Sequence, residues 1–390
     1  MFFKDIPGKS EEKQKLIKQI KEDRIPHAQL FLGNEGSANL AMALAFVSYL
    51  FCENKQESDS CGECANCNKS HKWIHPDLHF SFPVVKKDDK KREETTSDDF
   101  LPQWRLALQS NPYMTISQWQ GFIQATTKPN INTKECNDII QKLAYQAFGT
   151  GPKVLIMWMP EYLGKEGNKL LKLIEEPTDN TYLILVANDQ NKILNTILSR
   201  CQLMKFLPYF HEELQEYIEK QYGIDATIAQ QYVKLSEGNL STAIALAKEG
   251  EKDLSSNLFN WLRISYKEDA EEIQSFIAEF TAQSMDGQIQ FLEYGLHYFQ
   301  NFYCWLMTDH QNHNMTEHEI EVAQKMKSII SPESIEKINR EINFAITGLL
   351  RNSNPKINMS ALTIKIGDIL KNKPQSSTIN STFAEEMLIV

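Results

Sequence analysis

Between residues 151 and 206 the apolar pattern is that of alternating strands and helices. Residues 154–158 form an unbroken apolar run, as in a strand buried on both faces of a parallel sheet. Leu170, Leu171, Leu173 and Ile174 share one helical face, and Pro177 stops that helix. Residues 182–187 are a second buried run, 191–199 suit a short helix ending near Arg200, and 201–206 alternate as a last strand. Upstream, a helix over 11–22 precedes a strand at 29–32, a glycine turn and an apolar helix reaching Phe51. A strand at 78–83 and helices at 117–126 and 133–148 follow, with Thr133 read as N-cap. Residues 102–114, with Trp104 and Tyr113, elaborate the loop between them without an assigned role.

Beyond Pro208 the strands stop, and the period is helical as far as about residue 372. Helices are predicted over 211–222, 225–235 and 240–248, joined before the last by Ser236-Glu237-Gly238-Asn239. Residues 251–372 continue as helices carrying an aromatic stripe that includes Phe259, Trp261, Phe276, Phe280, Phe291, Tyr298 and Trp305. At helical spacing such a stripe reads as core or subunit interface. Residues 373–390 begin as a Ser/Thr-rich stretch and read as a mobile tail.

Composition narrows the class. A chain of 390 residues allows two or three domains, and a net charge of −10 argues against a surface built wholly to grip phosphates. No apolar run reaches the roughly 20 residues of a membrane helix. The first residues lack the apolar core of a signal peptide, so a cytoplasmic location is expected. The run 86–99 mixes five basic with six acidic side chains and predicts a solvated, partly disordered loop.

Candidate chemistry falls at three places. Gly33 starts the turn after the first strand as in a phosphate-cradling loop, and Gly36 lies in that turn. However, Ala38, Asn39 and Leu40 stand where G-x-x-x-x-G-K-[ST] needs glycine, lysine and hydroxyl. That leaves a structural strand-turn-helix, or weak anion binding at the helix N-terminus. The strand at 154–160 carries no acid for magnesium, the first carboxylate being Glu161. Four of the seven cysteines, Cys52, Cys61, Cys64 and Cys67, form two overlapping C-x-x-C steps with an upstream thiol, a set suited to closed tetrahedral zinc. Cys136, Cys201 and Cys304 read as small buried hydrophobes, and His71, His75 and His79 as ordinary side chains because Pro76 breaks any shared helical face. Arg200, at a loop edge, is a cation of the kind that can serve a neighbour's site.

Several segments carry a resemblance. The run Arg24-Ile25-Pro26-His27-Ala28, the four cysteines after the glycine-turn helix, Asn168 to Pro177 (NKLLKLIEEP), Ser199-Arg200-Cys201 and Arg351-Asn352-Ser353-Asn354-Pro355-Lys356 are similar to motifs of the delta-prime family of bacterial DNA polymerase III clamp-loader subunits, within the AAA+ superfamily. The resemblance is dense over about 1–80 and 150–207. It implies an α/β AAA+ core over 1–207, with a parallel sheet, a zinc module at 52–67 and the charged insertion at 84–116. A helical lid at 208–250, an all-α collar at 251–372 and a flexible tail at 373–390 complete the implied layout. It also implies a subunit that does not hydrolyse ATP and that lends Arg200 in trans to a neighbouring motor subunit. The implied partners are the gamma/tau motors, the delta subunit and, through the complex, the sliding clamp and primed DNA, with no membrane.

Departures from the active relatives sharpen this expectation. Trp158 and Met159 occupy the acidic positions, Asn39 and Leu40 the lysine and hydroxyl, and Ser241 the place of a phosphate-sensing arginine. Tight ATP binding and intrinsic hydrolysis are therefore not expected. Two other readings stay open: an active ATPase with an unusual loop, and a stand-alone zinc-dependent nucleic-acid binder.

Overall fold

The structure is a computed structural model and describes residues 1–87, 90–125, 127–148, 151–248, 254–283, 285–308, 315–351 and 353–371. The chain divides into two compact units, Met1–Lys248 and Glu249–Val390.

The first unit is built on a five-stranded sheet: β1 (Ala28–Gly33), β2 (Leu78–Ser81), β3 (Lys153–Trp158), β4 (Thr181–Ala187) and β5 (Gln202–Phe206), in the order β2-β3-β4-β1-β5. Every pairing is parallel. Interior strand β3 is buried along its whole length, as its unbroken apolar run requires. The strand expected to reach residue 83 stops at Ser81. Edge strand β5 departs from the expected alternation: Gln202, Leu203 and Lys205 are exposed, because only one neighbour and one face cover it. The helix Asn39–Phe51 is buried almost throughout beneath the sheet, which explains its apolar character on all sides. The expected helix around Leu170 is mostly a 3-10 stretch, Gly164–Leu170, with one α-turn at Leu171–Glu175.

The charged side chains of the run 86–99 are mostly exposed, as predicted, Asp88 and Asp89 lying outside the described residues, but the uncharged part of the run is not. Thr95, Thr96 and Ser97 are buried. The Ser97 backbone N–H (2.8 Å) and Oγ (2.5 Å) both donate to the buried Glu135 carboxylate, whose pKa burial raises. Within the stretch that elaborates this loop, Leu101–Ser110 form a full helix. Its Trp104 stacks on Phe82 at 4.2 Å and meets Trp119 and Trp158 at 5.2 Å each, so the insertion closes over the end of β3. The N-cap of helix Thr133–Ala144 is Asn132, not Thr133. Asn132 accepts the Glu135 N–H at 2.9 Å, whereas Thr133 donates its hydroxyl to Glu166.

Helices His211–Tyr222, Ala226–Ser236 and Leu240–Lys248 complete this unit. Asp225 caps the second through the Thr227 N–H.

The second unit is helical among its described residues. Helix Met285–Met307 places Phe291, Tyr294, Tyr298, Phe299, Phe302 and Trp305 in the core, packed with helix Pro332–Leu350. Phe259 and Phe276 are only half-buried. Asn354 caps helix Pro355–Leu370 through the Lys356 and Ile357 N–H groups. Asn352 and the tail 373–390 lie outside the described residues. Cys136 is buried as expected, Cys201 half-buried, and Cys304 exposed on its helix, against expectation.

Candidate functional site

The glycine turn after β1 is closely packed at both of its glycines. A Cβ on Gly33 would lie 2.2 Å from Ser37 Oγ and 2.9 Å from the Phe206 carbonyl, so only glycine fits there. Gly36 sits at φ +70° with Asn239 against it; a Cβ would lie 1.7 Å from Asn239 Oδ1. The Leu240 N–H donates to the Gly36 carbonyl at 3.1 Å. The helical segment after residue 208 is thereby seated on the turn.

Asn39 is buried, and its amide faces three acceptors. Nδ2 donates to the Gly33 carbonyl (3.3 Å), the Ala187 carbonyl (3.0 Å) and Asn188 Oδ1 (3.2 Å), while Oδ1 accepts the Leu40 N–H (2.9 Å). The side chain at the lysine position therefore bridges the ends of β1 and β4 instead of pointing at a ligand. At the end of β3, Trp158 and Met159 are buried and apolar. Glu161 turns its Oε1 to the Asn188 and Asp189 N–H groups at 2.5 and 2.8 Å, and burial raises its pKa. The first acid after β3 thus holds the loop after β4.

Arg200 follows the short helix Asn195–Leu198, and its side chain is 35% exposed. Nε and Nη2 both reach Glu175 Oε1 at the end of helix Leu171–Glu175. Nη1 donates to the Thr196 carbonyl (2.9 Å) and to Ser199 Oγ (3.3 Å). An intrachain ion pair is thus present, and sequence reasoning missed its acid. Glu175 lies within the NKLLKLIEEP run, but nothing in that run shows which residue it faces.

The four cysteines meet where two helices end and begin. Cys52 ends helix Asn39–Phe51, Cys64 caps helix Ala65–His71, and Cys67 lies in its first turn. All four Sγ atoms lie within 4.8 Å of one another, with Cys61 and Cys67 Sγ 3.8 Å apart. Sulfurs around a tetrahedral ion at about 2.3 Å stand about 3.8 Å apart, so the set fits such an ion. N–H groups of Cys61, Cys64 and Cys67 donate to the sulfurs of Cys52 (3.3 Å), Cys61 (3.4 Å) and Cys64 (3.4 Å). The Cys64 N–H leads in lowering the Cys61 pKa to about 6, whereas burial raises the Cys52 and Cys67 thiols. Gly62, at φ +79°, lets the loop pass the Phe2 ring. The cluster could hold a metal ion. His71 stacks edge-on with Phe2, and His75 stacks on Phe51, so both have packing roles.

Similarity to known proteins points one way. A family model described as "DNA polymerase III, delta subunit" matches residues 8–210, just over half of the chain. The DNA polymerase III subunit delta' proteins of Bacillus subtilis and Escherichia coli are each 23% identical over 236 residues, covering 60% of this chain and 58% of the relative. The chain therefore spans less than two thirds of those two relatives. The delta' protein of Haemophilus influenzae is 23% identical over 269 residues, covering 68% of this chain and 69% of the relative. A solved Thermotoga maritima structure, described as a DNA polymerase III gamma subunit-related protein, covers 92% of this chain and 99% of its own at 13% identity, with a TM-score of 0.39. By the matched family model and these relatives, the chain belongs to the DNA polymerase III delta subunit family.

Proposed function

We propose that this chain is the non-catalytic delta-prime member of a DNA polymerase III clamp loader, a stationary subunit that lends Arg200 to the ATP site of a neighbouring motor subunit. The carrying observation is that Asn39, at the position of the motif's lysine, is tied to the ends of β1 and β4 and that Asn239 packs against Gly36, on a fold that presents a partly exposed arginine. A side chain that bridges two strand ends leaves no lysine for the β- and γ-phosphates. Intrinsic ATPase activity is accordingly not expected. Helices His211–Lys248 would be the lid, residues 251–372 the collar that joins it to gamma/tau and delta subunits, and the sliding clamp and primed DNA the substrates of the assembly.

An arginine finger spreads charge over the γ-phosphate oxygens as the transition state develops, and one supplied in trans is worth roughly 10³ to 10⁵ in rate. Cys52, Cys61, Cys64 and Cys67 would hold zinc. With four thiolates and no open position the ion would cross-link the loop rather than take part in chemistry.

The test is ATP turnover by the reconstituted complex with clamp and primed DNA, wild type against Arg200→Ala, with assembly checked by size. We expect a loss on the order of 10³-fold with assembly intact. Unchanged turnover would leave Arg200 as the surface ion pair it forms with Glu175.

A further inference from the structure

We propose that Glu175 is a positioning residue for Arg200, holding the guanidinium in the orientation in which it meets the neighbour's nucleotide. The inference rests on the finger reading above and adds to it a residue and a mechanism.

Two elements adjacent in the fold, the helix end at Glu175 and the turn after helix Asn195–Leu198, converge on one side chain. Arg200 is gripped at all three nitrogens: Nε and Nη2 by Glu175, Nη1 by the Thr196 carbonyl and Ser199 Oγ. A guanidinium carries five N–H donors, so a donor on Nη2 stays available for an incoming phosphate oxygen. A free arginine of this length samples many rotamers, and one that must be ordered during the reaction loses rate. A carboxylate on the Nε side removes that freedom in advance.

Its charge also opposes the guanidinium's field at the phosphate. That opposition is weak here, because both partners are roughly 40% exposed and solvent screens the carboxylate. The pre-ordering is geometric and is not screened. Positioning therefore outweighs neutralisation. The same exposure makes the pair nearly neutral for folding, so removing Glu175 should leave the fold intact.

The experiment compares Glu175→Ala, Glu175→Gln, Arg200→Ala and Arg200→Ala with Glu175→Ala in the reconstituted complex. Steady-state ATP turnover is measured with clamp and primed DNA, and melting of each isolated chain is followed. Glu175→Ala is expected to lower kcat about tenfold, a partial loss because Thr196 and Ser199 still hold one edge. Its melting temperature should be unchanged. Glu175→Gln keeps an acceptor for the Nε–H and should restore most of kcat. In the Arg200→Ala background, Glu175→Ala should cost nothing more. Wild-type turnover in Glu175→Ala, or a rise, alongside a low Arg200→Ala would overturn positioning while leaving the finger intact. A Glu175→Ala loss that persists undiminished without Arg200 would overturn it too. Wild-type turnover in Arg200→Ala would remove the finger reading itself, and this inference with it.

Discussion

At the scale of single residues, Asn39 decides what the glycine turn can do. Its amide hydrogens meet three acceptors, the Gly33 and Ala187 carbonyls and Asn188 Oδ1, in a buried setting. Asn39→Ala strands those acceptors and should cost about 1–3 kcal/mol. Asn39→Asp should cost more, because it sets a carboxylate against oxygens that can only accept. Thermal or urea unfolding of the full chain would check the order; an aspartate variant as stable as wild type would show that the bridge does not hold the strand ends. The absence of lysine was legible in the sequence. What asparagine does instead was not, because the Ala187 carbonyl comes within reach only through the parallel register that sets Leu32 beside Ala187. Glu175 was hidden for the same reason: its partner lies 25 residues away on another element.

At the scale of elements, signals confined to a short stretch were the legible ones. The four cysteines span sixteen residues, and the helix end and helix cap that carry them bring their sulfurs together as the spacing implies. A bound ion held at about 100 times its dissociation constant contributes about 2.7 kcal/mol. Stripping zinc with a chelator should therefore lower the melting temperature of the first unit by roughly 5–10 °C. Cys61→Ser should melt near the stripped value and respond little to the chelator. A purified chain that contains no zinc and melts identically with and without chelator would refute the site. The solvation of the charge run was legible, but the anchors of the insertion were not. Ser97 is tied to Glu135 and Trp104 to Phe82, and both pairings are set by tertiary packing that no local period reports. Thr133 was misjudged as cap for a smaller reason: Asn132 precedes it, caps at least as well, and leaves the threonine hydroxyl for Glu166.

At the scale of the first unit, the helices after residue 208 are held to the glycine turn and to the segments after β2 by side-chain and backbone contacts. The helices after residue 208 are tied to the turn at Gly36 through Asn239 and Leu240. They are tied to the insertion and to the helix Ile116–Phe122 that follows it as well: Asn111 Nδ2 donates to Ser241 Oγ at 2.9 Å, Ser241 Oγ donates to Gln118 Oε1 at 2.8 Å, and Lys248 Nζ donates to the Ser110 carbonyl at 2.9 Å. Ser241 stands where the resemblance leads one to expect a phosphate-sensing arginine, and its hydroxyl joins Asn111 to Gln118 instead. A subunit clamped in this way should keep one arrangement of core and helices whatever the nucleotide. Hydrogen exchange of the isolated chain is expected to show equal protection across 239–248 with and without magnesium ATP. Paired Asn111→Ala and Gln118→Ala substitutions should speed exchange in 240–248 while the strands of the sheet stay protected, since neither residue belongs to the sheet. Added protection from ATP in the wild type would mean that the cradle still opens to a ligand, and the clamp would then be a gate. Unchanged exchange in the paired variant would place the hold on the helices at Gly36 and Asn239 alone, leaving the insertion to serve only the end of β3.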